Sequence, residues 1–350
     1  MASYRRSIAI MGAGDRLEVL IQRCYAGLDA DELRFETLTR LRTLMTIDAA
    51  FFATVDPATL LFTSASADAP LGEVTEQFLA NEFGQPDVNK FVTLAAARDP
   101  VNSLTHATKG DWQSSTRYVE VMRPIGFGDE LRAALMSNGR CWGVICLHRE
   151  DAATGFSEQE LQLVRRLGPH VAEGLRRGLL SRSGDDGQVG PGVIVLDAAL
   201  HQLSANAEGE HWLAELQPDR RTELPVAVRA VAARLTQGPA PQLKVRTRAG
   251  RWVALHASRL GDDGQVVVVI EPVTPAQLGS LLFDLHGLTP AQQRVTELLL
   301  RGYSTRQIVE RLCLSPHTVQ EHVRAAYDKV GVGSRRELVT ALLRGSASHG

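Results

Sequence analysis

Apolar residues recur every three or four positions at Leu17, Leu20, Cys24 and Leu28, then at Leu38, Leu41, Leu44 and Met45. This spacing predicts helices at the start of the chain. Residues 50–55, apolar but for Thr54, read as a strand; Asp56-Pro57 turns the chain, and 60–64 reads as the returning strand. From Pro70 to about Asp111 the pattern mixes a short helix with irregular chain, and 115–122 reads as a further helix. Leu131, Ala133 and Leu135 alternate with other residues up to Asn138-Gly139, and 140–148 reads as a second strand. Asn-Gly supplies the two positive-φ positions of a type I′ turn, so the pair is a hairpin. Ser157 and Glu160 then form a capping box. Leu161, Val164, Leu167, Val171, Leu175 and Leu179 draw the stripe of a long helix, which Pro169 is expected to kink.

Residues 178–191 are rich in Gly, Ser and Asp and mark a boundary. Beyond it come a strand at 193–196, a turn at Asp197-Ala198-Ala199, a strand at 201–204 and helices over 206–216 and 225–235. Strands at 243–247, 252–258 and 265–270 follow, separated by turns at Ala249-Gly250 and 261–264. Four helix starts then crowd the last 65 residues. Thr289-Pro290-Ala291-Gln292, Ser304-Thr305-Arg306-Gln307 and Ser334-Arg335-Arg336-Glu337 are capping boxes, and Ser315-Pro316 is a Ser cap followed by Pro. They predict helices over 290–301, 305–312, 316–330 and 335–343, with Gly302 and Gly331 at helix ends. Only Cys313-Leu314-Ser315 separates the second from the third, the spacing of a helix-turn-helix. The third helix would present His317, Thr318, Gln320, Glu321 and Arg324 to the edges of bases in a major groove.

The expected organisation is a multidomain α+β chain. It has an N-terminal tail at 1–15, an α/β unit at 16–178, a linker at 179–191 and a smaller α/β unit at 192–273; a connector at 274–285 leads to a four-helix module at 286–350.

Composition changes this picture in two places. The chain of 350 residues carries a net charge of −2, which excludes a uniformly basic nucleic-acid coat. From His286 onward, however, nine Arg or Lys face five acids, so the end module is basic on an acidic body. Cys24, Cys141, Cys146 and Cys313 are scattered without a CxxC pair, as suits a reducing cytoplasm, and give neither a disulfide framework nor a zinc module. The apolar stretch 8–13 is too short for a secretory signal core, and the longest aliphatic run, 266–270, is too short to cross a bilayer. No membrane association is expected.

The segment from Leu288 to Leu338 resembles the DNA-binding domain of LuxR/FixJ/NarL-type bacterial regulators. The matching marks include Leu288-Thr289, Val295, Leu298, Gly302, Ser304, Ile308, Leu312, Ser315, Thr318-Val319, His322-Val323, Lys329, Gly331-Val332 and Arg335, in order and without gaps. The family usually has Glu at the positions of Gln292 and Gln307, and Lys at the position of Gln320. Losing that Lys removes a phosphate or guanine contact, whereas Gln pairs bidentately with adenine. The resemblance implies double-stranded DNA as partner, read by Ser315, His317, Thr318, Val319, Gln320, His322, Val323, Arg324 and Arg335. Val319 suits either a thymine methyl or the core, Val323 either a DNA contact or the core, and Arg335 a phosphate or a solvated helix start. It also implies a homodimer, with Val339 and Leu342 in the contact, and RNA polymerase as a possible partner.

The order and length of the elements over 17–177 are similar to GAF-type sensor domains, as is the phrase RPIGFGDELRAAL at 123–135. Residues 192–273 resemble a short PAS domain, with Asp197 and Asn206 at the family's positions. These resemblances imply a small-molecule effector or a protein partner at the sensor units; Trp112, Tyr118, Phe127 and Trp142 are candidate ligand-pocket residues, with plain core packing the favoured alternative. No catalytic set, cofactor or metal is expected. Gly126-Phe127-Gly128-Asp129 lacks a P-loop Lys, no HExxH or GxSxG motif occurs, and Cys141 and Cys146 should point to opposite faces of one strand. The reading is a cytoplasmic, non-enzymatic transcription regulator; an enzyme fused to a DNA anchor and a protein-binding scaffold are the alternatives.

Overall fold

The structure, a computed structural model, describes residues 13–150, 155–180, 189–216, 224–238, 242–261, 263–273 and 275–343. Most of the expected N-terminal tail and positions 181–188 of the expected linker lie outside the described residues.

The first unit opens with α1 (Ala13–Cys24) and α2 (Ala30–Leu41). β1 (Ala49–Val55), β2 (Phe62–Ala67), α3 (Thr75–Gly84), α4 (Phe91–Ala96), β3 (Val101–Ser103) and α5 (Leu104–Thr108) follow. A π-helical turn at Tyr118–Met122 leads into β4 (Asp129–Ser137), β5 (Arg140–Arg149) and α6 (Glu158–Gly178). The strands form one antiparallel sheet in the order β2-β1-β5-β4-β3. Asn138 and Gly139 take φ of 52° and 73°, as the hairpin turn requires. Pro169 sits inside α6 without ending it.

Leu161, Val164, Leu167, Val171 and Leu175 of α6 pack with α1 and α2 on one face of this sheet. Phe51, Phe62, Phe78 and Phe91 fill the other face. Both faces are therefore covered, which is why β4 and β5 are buried along nearly their whole length.

The second unit contains β6 (Gly192–Leu196), β7 (Gln202–Ala205), α7 (Ala207–Leu216), α8 (Val226–Ala233), β8 (Leu243–Arg246), β9 (Trp252–Leu260) and β10 (Gln265–Pro272). Its sheet order, β7-β6-β10-β9-β8, repeats that of the first: second, first, fifth, fourth, third. Asn206 organises the start of the unit. Its Oδ1 accepts from the backbone N–H of Val193 and of Gly209, each at 2.8 Å, which joins β6 to the first turn of α7. Every described residue of α8 beyond Val226 is buried, Arg229 included. A helix buried on all sides needs cover on all sides, and α8 lies between β9 of its own unit and β2 and α3 of the first.

The segment expected as a connector contains two short helices, α9 (Pro275–Leu278) and α10 (Ser280–Leu285). Leu278, Leu281 and Leu285 enter the core of the first unit, while Phe283 enters that of the last. The end module is α11 (Pro290–Leu300), α12 (Thr305–Leu312), α13 (Pro316–Val330) and α14 (Arg335–Leu343), packed around Val295, Leu299, Ile308, Val319, Ala326, Leu338 and Leu342. The expected capping boxes of α11 and α12 form, with Gln292 and Gln307 in the places of the family's Glu. Gln292 Oε1 also accepts from Lys329 Nζ at 2.9 Å, so the amide serves both the cap and the packing of α13.

Candidate nucleic-acid interface and sensor cavity

Two local devices aim α13. Cys313 closes α12 in a left-handed conformation (φ 53°), which turns the chain sharply without a glycine. Ser315 then caps α13, accepting from the Thr318 N–H at 3.0 Å, and its hydroxyl lies 2.9 Å from that of Thr318. From this start the helix divides cleanly. Val319 and Ala326 are buried and Val323 is half-buried, one helical stripe, while His317, Gln320 and Arg324 are exposed on another. Gln320 and Arg324 border an open groove of about 370 Å3, shared with Thr305 and Tyr327. His317 Nε2 and Glu321 Oε1 lie 3.4 Å apart on the exposed surface.

Two of the expected contacts, Val319 and Leu342, need correction, and a third, Arg335, is shared with the fold. Val319 is fully enclosed in the core, so the thymine-methyl contact gives way to packing. Arg335 donates to the Leu299 carbonyl at 2.7 Å, closing the C-terminus of α11, which ties part of its guanidinium to the fold. Leu342, expected in a dimer contact, is 1% exposed and belongs to the same core.

The aromatic set expected for a ligand pocket is split. The Trp112 and Tyr118 rings lie 5.9 Å apart and Phe127 packs 5.0 Å from the His148 ring, all on the phenylalanine-rich face. Trp142 is buried on the opposite face, against α6. A register shift between Leu135 and Met136 pairs Leu135 with Gly143 and Met136 with Cys141, so Trp142 is the extra residue of a bulge. The same bulge returns Cys141 to the face of Cys146, contrary to the strict alternation expected from their spacing.

The centre of the phenylalanine-rich face carries a buried ionic network that the sequence reading missed. Glu130 Oε2 accepts from Arg117 Nε and Nη2 at 2.9 and 2.7 Å, and Arg132 Nη2 donates to Glu82 at 2.6 Å. The Arg132 guanidinium lies over the Phe91 ring at 3.8 Å. Asp87 and Lys90 are coupled to the same groups, which makes three acids and three bases. Burial alone would raise the Glu130 pKa, but Arg117 and Arg132 outweigh it and hold the carboxyl at about 2. Burial pushes His148 down to about 4 against the pull of Glu130, so its imidazole is neutral near neutral pH.

Four atoms of this network have no hydrogen-bond partner among the described residues: Glu130 Oε1, Arg132 Nε and Nη1, and His148 Nδ1. A cavity of about 20 Å3, walled by Phe51, Phe78, Arg117, Met122, Glu130 and His148, adjoins them. That space suits one water or a very small polar group. Glu130, Cys146 and His148 also place donor atoms within 4.8 Å of one another. A cation is disfavoured there: the network is already balanced, two guanidiniums adjoin it, and burial drives the Cys146 thiol well above its usual range.

Known proteins match two parts of the chain. The family described as bacterial regulatory proteins, luxR family, matches residues 286–342, and the GAF domain matches 29–175. The spore germination protein GerE of Bacillus subtilis is 39% identical over 57 residues, which are 16% of this chain and 77% of that protein. An HTH-type transcriptional regulator of Mycobacterium tuberculosis is 45% identical over 62 residues, 17% of this chain; the chain spans only 7% of that relative's length. The solved VqsR ligand-binding domain from Pseudomonas aeruginosa is 15% identical at a TM-score of 0.32, over 47% of this chain and 98% of that one, a likeness too loose to argue from.

Proposed function

The chain belongs to the luxR family of bacterial regulatory proteins, and on that premise we propose that it is a sequence-specific transcription regulator whose α13 enters the DNA major groove. The observation that carries this reading is the exposed stripe of His317, Gln320 and Arg324 on a helix whose other stripe is locked into the core. In this reading Gln320 reads a base edge, and Ser315, His317, Thr318, His322 and Arg324 contact phosphate or position the helix. Val323 supports the helix from the margin of the core, and Arg335 has its remaining donors for phosphate.

The GAF unit and the second unit, which we read as PAS-like from its repeated strand order, act as the sensing part. A small molecule or protein bound there shifts DNA affinity by favouring one arrangement of the end module over another. The DNA-bound form is a homodimer on two half-sites, working in the cytoplasm with RNA polymerase as the downstream partner. No helix among the described residues is long and apolar enough to cross a membrane.

The test is enrichment of fragments of the source genome by the full chain at two salt concentrations. A shared motif whose retention falls with salt is expected, because phosphate contacts weaken with salt while base contacts set the sequence. Enrichment without a motif would favour a non-specific DNA anchor.

A further inference from the structure

The end module carries five acids. Glu297 pairs with Arg301 and Glu310 with Arg306, each across one turn of its own helix. Glu337 accepts from the Gly333 N–H and the Ser334 hydroxyl, each at 2.8 Å, at the start of α14. Asp328 lies in the last turn of α13. Glu321 stands apart. It occupies the second turn of α13, exposed, and its one ionic partner among the described residues is the exposed His317, whose Nε2 lies 3.4 Å from Glu321 Oε1. Glu321 Oε2 has no partner among the described residues. A pair this open to solvent adds little to stability, so the fold does not account for an acid here.

Val319 and Ala326 point into the core and set the inner side of α13. At about 100° per residue, His317, Glu321 and Arg324 all fall within roughly 30° of the line opposite those two, whereas Gln320 falls roughly 70° from it. The carboxylate therefore sits near the crest of the outer face, with Gln320 on its flank. An acid in that place opposes phosphate on every sequence and so lowers non-specific affinity. It helps binding only where it meets a donor, because a carboxylate accepts and does not donate. In the major groove the donors are the amino groups of cytosine and adenine; guanine and thymine offer acceptors and a methyl. The adenine amino group is flanked on both sides by acceptors, its own N7 and the O4 of its thymine partner, while that of cytosine has an acceptor on one side only. Cytosine is thus the base a carboxylate meets with least repulsion.

We propose that Glu321 is a second base-reading residue of α13, whose carboxylate accepts from the N4 amino group of a cytosine, and that His317 is the positioning residue that holds it. This rests on the entry of α13 into the major groove. Glu321 works chiefly by exclusion: guanine or thymine at its position sets acceptor against acceptor, and the cost falls on the wrong sequence.

Selection from short duplexes with a randomised centre, by the full chain and its variants at fixed salt, tests the proposal. The native chain should choose cytosine at one position of each half-site, about tenfold over other bases, as a charge-assisted hydrogen bond predicts. Glu321→Gln should move the choice at that position to adenine, since an amide pairs with N6 and N7. Glu321→Ala should remove the choice there and tighten binding to unselected duplex. His317→Ala should weaken the cytosine preference, and His317→Gln, whose amide can still donate to the carboxylate, should restore it. Both positions are exposed, and an unchanged far-ultraviolet circular dichroism spectrum checks that the variants fold. A motif that both Glu321 variants leave intact, or one that they alter only where the native chain does not choose cytosine, would overturn the proposal and spare base reading by α13. An unchanged cytosine preference in His317→Ala would overturn the positioning role. No motif with the native chain would overturn base reading itself, and the proposal with it.

Discussion

Arg140 at the start of β5 holds its Nε 3.1 Å from the Asp284 carboxylate of α10, and Asp284 in turn accepts from Gln293 Nε2 of α11 at 2.7 Å. One nearly buried carboxylate thus joins the first sensor hairpin, the connector and the DNA-binding module. Arg176 of α6 adds a second tie by donating to the Leu285 carbonyl.

Asp284→Ala should loosen this joint without unfolding either side. A half-exposed ion pair and one hydrogen bond together contribute about 1–2 kcal/mol. Amide hydrogen exchange over 280–288 should speed up by about tenfold, while exchange in β4 and β5 stays unchanged. Equal acceleration in β4 would mean that the variant has destabilised the sensor unit itself.

The network around Glu130 predicts a large effect from a small change. Glu130→Ala leaves the buried Arg117 without its bidentate partner and Arg132 with one acid fewer nearby. A loss of about 3–5 kcal/mol is expected in urea unfolding of the sensor unit. A loss under 1 kcal/mol would show that the guanidiniums reach solvent when the carboxylate is removed.

His148 gives a pH dependence of definite sign. Its folded pKa lies near 4, below the ordinary value of 6.5, so the unfolded chain takes up a proton first as the pH falls. Stability should therefore decline from about pH 6.5 down to 4, by up to about 3 kcal/mol. Glu130, held near 2 against an ordinary 4.5, extends the loss below pH 4.5. Urea midpoints between pH 7.5 and 5 should fall in the native chain and fall less in His148→Gln; parallel slopes would place the titration on other groups.

The residues that wrote themselves plainly into the sequence are those whose local chemistry repeats a known device. Ser157, Thr289, Ser304 and Ser315 cap their helices as their spacing predicts, and Asn138-Gly139 turns its hairpin. The ionic network was illegible for a physical reason. Glu130 and Arg132 alternate with Leu131 and Ala133, the pattern of a strand with one wet face, yet α3 and α4 cover that face. The bulge at Trp142 inserts one residue without a local signal, and so misplaces every facing argument built on strict alternation before it. The short edge strand β3 and the connector helices take their form from tertiary contacts, which segments of three, four and six residues do not announce. On α13 the same 3.6-residue period that marks the helix also hides Val319, and sequence left its two roles equally open.

Arg324→Ala should weaken DNA binding by a similar factor on every sequence and reduce the steepness of the salt dependence by about one unit in the log–log slope. Its exposed position makes a folding defect an unsuitable explanation for such a change. A loss confined to one base position would instead assign Arg324 to base reading.

The most direct test of the account is the affinity of the full chain and of Gln320→Ala for an enriched operator and for its single-base variants, at fixed salt. Base reading by α13 predicts a loss of about 1–3 kcal/mol on the operator and a flattened preference at one base position, with the salt slope unchanged. An unaltered preference at every position would contradict the placement of Gln320 at the base edges and, with it, the reading of this helix as the sequence-specific element.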